Sequence, residues 1–177
     1  MDIKKTANLF INFTIKRIIE IFGIIIFTAG IFLAISLISY SPDDPNFVFP
    51  DNTKINNILG FQGAIVSDLF FQSIGLVSYL FSLTLIITGI NILRSKDFFL
   101  VIENIFFTII YSLFGSFFLE YFYSNSFTLY INGNGGFVGS YLEQTFLTSL
   151  VQINEIIFYY VLIILNLTLF LVSINFH

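Results

Sequence analysis

The chain has 177 residues, of which 56% are hydrophobic and only 10% charged, against about 25% charged in an ordinary soluble domain. Seven Lys and Arg stand against eleven Asp and Glu, for a formal charge of −4; with so few basic residues and no basic face, the composition argues against direct nucleic-acid binding by this segment. There is no cysteine, and the one histidine is the last residue, His177, which removes disulfides and cysteine-based metal or nucleophile chemistry.

A bilayer core of about 30 Å takes about 20 helical residues, and four apolar runs reach that length. The first covers residues 21–40, with its helix starting at about residue 18. Residues 1–17 mix Leu9, Phe10, Phe13 and Ile15 with Lys and Asn and read as an extension of that helix into the membrane interface. The apolar run is too long for a secretory signal, and no small-residue cleavage pattern follows it, so the segment reads as an anchor. Ser41-Pro42-Asp43-Asp44-Pro45-Asn46-Phe47 comes next, where the prolines stop the helix and the acids hold the turn in water. Asn57-x-x-Gly60-x-x-Gly63-Ala64 and then Asp68 lead into the second run, residues 69–93, at whose start Asp68 is expected to cap the helix.

A tight link containing Arg94 and Lys96 precedes the third run, residues 98–123. It contains Glu103 and Glu120, which about 1.5 Å per residue places roughly 25 Å apart, one near each membrane face, in packing or interfacial roles. The glycine-rich Asn132-Gly133-Asn134-Gly135-Gly136-Phe137-Val138-Gly139 lacks the Gly-Lys-Ser/Thr of a phosphate loop and reads as a turn. It opens a segment, residues 137–151, with the spacing of one amphipathic helix lying at the outer interface. The fourth run, residues 156–176, carries Asn166 and Thr168 in mid-span, candidates for hydrogen bonds between helices. Gly30 and Ala34, Ser78 and Ser82, and Ser112 and Ser116 are small residues at spacing four, which let membrane helices approach closely.

Basic residues set the orientation, because short cytoplasmic loops collect Lys and Arg. Lys4, Lys5, Lys16 and Arg17 precede the first run, Arg94 and Lys96 follow the second, and Lys54 stands alone on the other side. Both termini are therefore expected in the cytoplasm, with residues 41–68 and 124–155 outside.

At this point the residues resemble a family. Ile38-Ser39-Tyr40-Ser41-Pro42-Asp43-Asp44-Pro45, then Gly60, Gly63, Ala64 and Asp68, then Ile74-Gly75, and later Gly135-Gly136-Phe137-Val138-Gly139 are similar in order and spacing to the amino-terminal four-span membrane domain of the FtsK/SpoIIIE DNA translocases of bacteria. Two departures are Phe47, where the family usually has Trp, and Ser67, where it usually has Ala. The family continues past its fourth span into a linker, a RecA-like hexameric motor and a winged-helix DNA-reading module, none of which lies within these residues.

The expected architecture is an all-α membrane protein with four transmembrane helices, at about 18–40, 69–93, 98–123 and 156–176, and one outer interfacial helix, with residues 1–177 forming a single membrane domain. The resemblance implies a membrane anchor and septal assembly domain of a DNA translocase acting in cell division and chromosome segregation. It implies a bacterial inner-membrane location, contacts with membrane proteins of the division machinery, and a homo-oligomer, hexameric if a motor is attached. No catalytic, cofactor or metal residue is expected in this chain; ATP and Mg²⁺ are implied only for the motor. The interaction or structural candidates are Ser41, Pro42, Asp44, Pro45, Gly60, Gly63, Ala64, Asp68, Gly75, Gly135, Gly136 and Gly139. A division or assembly factor unrelated to DNA would share the same physics, and a small transporter subunit would need a polar stripe through several spans.

Overall fold

The computed structural model describes residues 3–45, 54–124 and 133–176, with side chains from residue 8 onward. The described residues are helical, with no strand: α1 (Ile3–Ile38), α2 (Gly60–Ile74), a 3₁₀ turn at Gly75–Val77, α3 (Ser78–Ser95), α4 (Phe99–Tyr123), α5 (Gly136–Glu143), α6 (Phe146–Ile153) and α7 (Glu155–Ser173). Four candidate spans, Asn8–Ile38, Gly60–Ser95, Phe99–Tyr123 and Glu155–Ser173, are long and apolar enough to cross a membrane. Continuous helix from Ile3 carries the amino-terminal segment straight into the first span.

Helices α1 and α3 form the tightest pair and run antiparallel. Tyr79 donates to the Leu37 carbonyl at 3.3 Å, Gly30 faces Ile86, Gly89 faces Phe27, and Gly23 faces Ile92. A Cβ on Gly30 would lie 2.7 Å from the Ile86 amide nitrogen, and one on Gly89 would lie 2.6 Å from the Phe27 amide nitrogen. The backbones touch because these positions carry no side chain, which is how membrane helices gain dispersion energy where lipid is as apolar as leucine. The α1 extension meets the α3–α4 link at Glu20, whose carboxylate receives the Lys96 ammonium at 2.8 Å and also pairs with Arg17. Lys96 adopts the left-handed conformation that ends α3, and the Asp97 carboxylate accepts from the Phe99 amide at 2.9 Å to start α4.

Helix α4 is the axis of the other half. Phe117, Val151 and Leu162 form its buried cluster with α6 and α7, and Tyr123 and Tyr159 share a 2.6 Å hydrogen bond at the head of α7. The foot of α7 returns to α3, where Asn91 donates to the Ile174 carbonyl at 2.9 Å. The start of the first span, the α3–α4 link and the foot of α7 therefore share one end of the bundle, the terminal end. The loops between α1 and α2 and between α4 and α7 share the opposite, loop end.

Two expectations require correction. The second span is not one helix over residues 69–93: helix begins at Gly60, stops at Ile74, turns at Gly75 and resumes at Ser78. All of Gly60–Ser95, 36 residues, would extend about 54 Å if straight, well beyond the hydrocarbon core. Instead α2 lies against the loop-end part of α1, and α3, with 18 residues or about 27 Å, is by itself close to the length a crossing needs. The segment 137–151 is likewise two helices, not one, because Thr145 leaves helical geometry and its hydroxyl accepts from the Leu147 amide at 3.4 Å to start α6 anew. Phe146, Leu150 and Ile153 still form an exposed apolar stripe along α6.

Candidate interaction site at the loop end

The turn after the first span delivers one carboxylate. The Asp44 amide donates to the Ser41 carbonyl at 3.2 Å, closing a β-turn with Pro42 in its second position, where the fixed φ of proline suits it. Asp44 is thereby buried, 3% exposed, and its two oxygens accept from the successive amides of Asn56 at 2.7 Å and Asn57 at 2.8 Å. Pro45 is buried beside it. The acids expected to keep this turn in water thus divide their roles: Asp43 is exposed, whereas Asp44 is a buried clamp on the approach to α2.

Asn57 completes this first clasp. Its side-chain amide donates to the Ser36 carbonyl at 2.9 Å and reaches the Ser67 hydroxyl at 3.5 Å, while its Oδ1 accepts from the Leu59 amide at 3.1 Å. Gly63 is small because a Cβ there would sit 2.2 Å from that Oδ1. Ser67 donates to the Gly63 carbonyl at 2.8 Å, so the serine that departs from the family pattern holds a buried hydrogen bond beside the buried Ala64. Gly60 opens α2 and Ala64 packs one turn later.

Asp68 does not cap a helix. It lies in the interior of α2, eight residues past its first, and accepts from the Tyr40 hydroxyl at 3.4 Å. The Tyr40 ring packs on Phe71 at 4.8 Å, and Phe71 packs edge-on against Tyr79 at 5.5 Å. These contacts fix the α1–α2–α3 corner.

The second clasp joins the two loops. Gly75 has φ +61°, and a Cβ there would fall 1.9 Å from the Asn134 carbonyl oxygen, which accepts from the Leu76 amide at 3.0 Å. Gly136 has φ +65° and lies against the Gly75 amide. Both backbones need the left-handed region and the empty Cβ position, so glycine alone fits. Gly135 and Gly139 press on the Ser116 carbonyl of α4. Ser116 itself donates to the Ile74 carbonyl at 3.0 Å, taking up an acceptor released where α2 ends. Glu120 accepts from the Gly135 amide at 3.0 Å, and Asn134 donates to the Tyr123 carbonyl. Glu120 therefore serves packing, while Glu103 is exposed.

The twelve candidates thus fall into two groups: Ser41, Pro42, Asp44, Pro45, Gly60, Gly63, Ala64 and Asp68 around the first clasp, and Gly75, Gly135, Gly136 and Gly139 in the second. Phe47 and Asn132 lie outside the described residues. The keystones Asn57, Ser116 and Asn134 were not among the candidates; spacing alone does not reveal an amide whose partners are 10 and 21 residues away. Asn166 and Thr168 also differ from expectation, since each donates to its own helix, to the Leu162 and Ile164 carbonyls. Asn166 Oδ1 faces Gly115 of α4.

The packing opens into a cavity of about 380 Å³ between α3 and α4 and one of about 280 Å³ between α2 and α4, which share Phe81, Thr108 and Ile109. Asn104, Thr108, Ser112 and Ser116 are buried at spacing four along this face of α4. Asn104 donates to Thr88 at 2.8 Å, Thr84 and Tyr111 share a 2.9 Å hydrogen bond, and Asn104 Oδ1 and the Ser112 hydroxyl have no hydrogen-bond partner. Among the described residues no group of three His, Cys, Asp or Glu side chains could hold a metal ion.

The family described as the 4TM region of DNA translocase FtsK/SpoIIIE matches residues 15–176. Among curated relatives, the DNA translocase FtsK of Rickettsia prowazekii is 35% identical over 69 residues, 39% of this chain and 9% of that protein. The DNA translocase FtsK of Azospirillum brasilense is 32% identical over 87 residues, 48% of this chain and 14% of that protein, and that of Rhizobium meliloti is 23% identical over 105 residues, 59% and 12%. The chain therefore aligns with about a tenth of the length of these relatives. No solved structure matches it. With its family match running through all four candidate spans and both clasps, the chain belongs to the family of membrane regions of the FtsK/SpoIIIE DNA translocases.

Proposed function

We propose that this chain is the membrane anchor and septal assembly domain of a DNA translocase, holding a motor at the division septum of a bacterial inner membrane. The observation that carries the reading is the family match over residues 15–176, supported by a bundle in which the start of the first span, the α3–α4 link and the foot of α7 share one end. That end carries Lys16, Arg17, Arg94 and Lys96, which favours the cytoplasm for both termini. A motor joined beyond residue 177 would then hang on the side where ATP and DNA are found. The clasped loops, on the opposite face, are the surface offered to other membrane proteins of the division machinery. The chain contributes no ATP hydrolysis and no DNA contact of its own; assembly as a homo-oligomer, hexameric with the motor, belongs to the same reading.

Its test is localisation and topology in one strain series. A fluorescent fusion at residue 177 is expected to concentrate at midcell during constriction, and alkaline phosphatase fused at Lys54, but not at residue 177, is expected to be active. Uniform membrane label at every stage of division would remove the septal role, and phosphatase activity at residue 177 would remove the orientation.

A further inference from the structure

The terminal end of the bundle brings together two cations from different helices. Arg17, on α1, and Lys96, which ends α3, both engage the Glu20 carboxylate, and their side chains remain 57% and 39% exposed. The guanidinium carbon of Arg17 also lies 5.0 Å from the centre of the Phe13 ring. One carboxylate shared by two cations leaves the cluster positive. Arginine has five N–H donors and lysine three, so most of their donors are not used on Glu20. The exposed Lys16 and Arg94 stand in the same stretches, and Asp97 is committed to the Phe99 amide.

On the bundle side of this cluster the surface is apolar and aromatic. Ile18, Ile21, Phe22, Phe98 and Phe99 are exposed, and the Phe22 and Phe98 rings meet edge-on at 5.7 Å, bridging α1 and the start of α4. A convergent pair of phosphate-competent donors above an exposed apolar wall has the two-part chemistry of a phospholipid, with a headgroup above and acyl chains below. At the loop end the only described Lys or Arg is Lys54, so the arrangement is confined to one leaflet.

We propose that Arg17 and Lys96 form a binding site for the phosphate of an anionic phospholipid, whose acyl chains lie along Phe22 and Phe98. Bound there, the lipid would cross-link α1 to the α3–α4 link and so stiffen the terminal end. The inference rests on the geometry of this end and stands whether or not the septal role holds.

The test is titration of the purified protein, in phosphatidylcholine nanodiscs, with phosphatidylglycerol, read by native mass spectrometry. Wild type is expected to retain phosphatidylglycerol selectively. A direct charge-assisted hydrogen bond to the phosphate is worth roughly tenfold in affinity, so Arg17→Gln/Lys96→Gln should lose well over tenfold, and the single change Lys96→Gln, which leaves α1 untouched, about tenfold. The equal-charge control Lys16→Gln/Arg94→Gln should change affinity by no more than about twofold. An equal loss in the control would show diffuse attraction and overturn the site, as would an unchanged affinity in Lys96→Gln. Displacement of the bound lipid by inorganic phosphate at matched concentration would make it a site for the free ion and overturn the lipid assignment.

Discussion

Helix α3 has two neighbours that hold it in different ways. Against α1 it meets backbone with backbone, through Gly23, Gly30 and Gly89. Against α4 it meets side chains, through the Thr84–Tyr111 and Thr88–Asn104 hydrogen bonds, and leaves a cavity of about 380 Å³. The comparison teaches that small residues at spacing four are not equivalent. On α1, Gly30 uses its small size to bring a backbone close; on α4, Ser112 adds a polar group to a looser contact, while Ser116 lies under the second clasp and bonds the Ile74 carbonyl. The loop end extends the first style, because Gly75 and Gly136 also put backbone on backbone. Close-packed contacts of this kind have no room for adjustment, so they should fail abruptly, whereas the crevice should absorb change.

Gly75→Ala tests the abrupt side hardest. It puts a Cβ 1.9 Å from a carbonyl oxygen on a backbone with φ +61°, and is expected to destabilise the domain by at least about 3 kcal/mol and to remove most folded protein from the membrane. Quantitative blotting of membrane fractions and thermal unfolding in detergent would measure it; a normal amount and midpoint would break the comparison. Gly30→Leu pushes α1 from α3 and should cost about 3 kcal/mol, seen as a lowered midpoint.

Asp44→Ala leaves the Asn56 and Asn57 amides without their acceptor and should destabilise by about 2 kcal/mol, with Asp44→Asn, which keeps one good acceptor, losing about half as much. Equal loss in both would mean that the charge, and not the two hydrogen bonds, holds the loop. The smallest effect belongs to the crevice. Asn104→Leu gives up one side-chain hydrogen bond, removes an oxygen without a partner and fills space, so its midpoint should correspond to a change below about 1 kcal/mol. A collapse there as large as that of Gly30→Leu would show that the crevice is no softer than the seam.

The four candidate spans, the helical extension of the first toward the amino terminus and the all-helical class were legible from residue order alone. Hydrocarbon thickness acts on every stretch locally: a run of about 20 apolar residues with few charges satisfies it whatever its neighbours do. The glycines of the family resemblance were legible as positions, because glycine marks sites that other residues cannot fill. What spacing could not supply was their partners. Gly75 reads as one residue of a long apolar run until Asn134 comes to meet it, 59 residues later, and turns the chain. Asp68 reads as a helix cap until the helix is seen to begin at Gly60, eight residues before it.

Sequence by itself determined how often this chain can cross a membrane and which end collects positive charge, because both follow from transfer energies that add residue by residue. Only the tertiary structure decided where the second crossing begins, that Asn57 and Asp44 clamp the first loop, and that Arg17 and Lys96 converge on Glu20. Those outcomes depend on hydrogen bonds and ion pairs between residues far apart in the chain, whose strength depends on distance in space, and hydropathy carries no information about that distance.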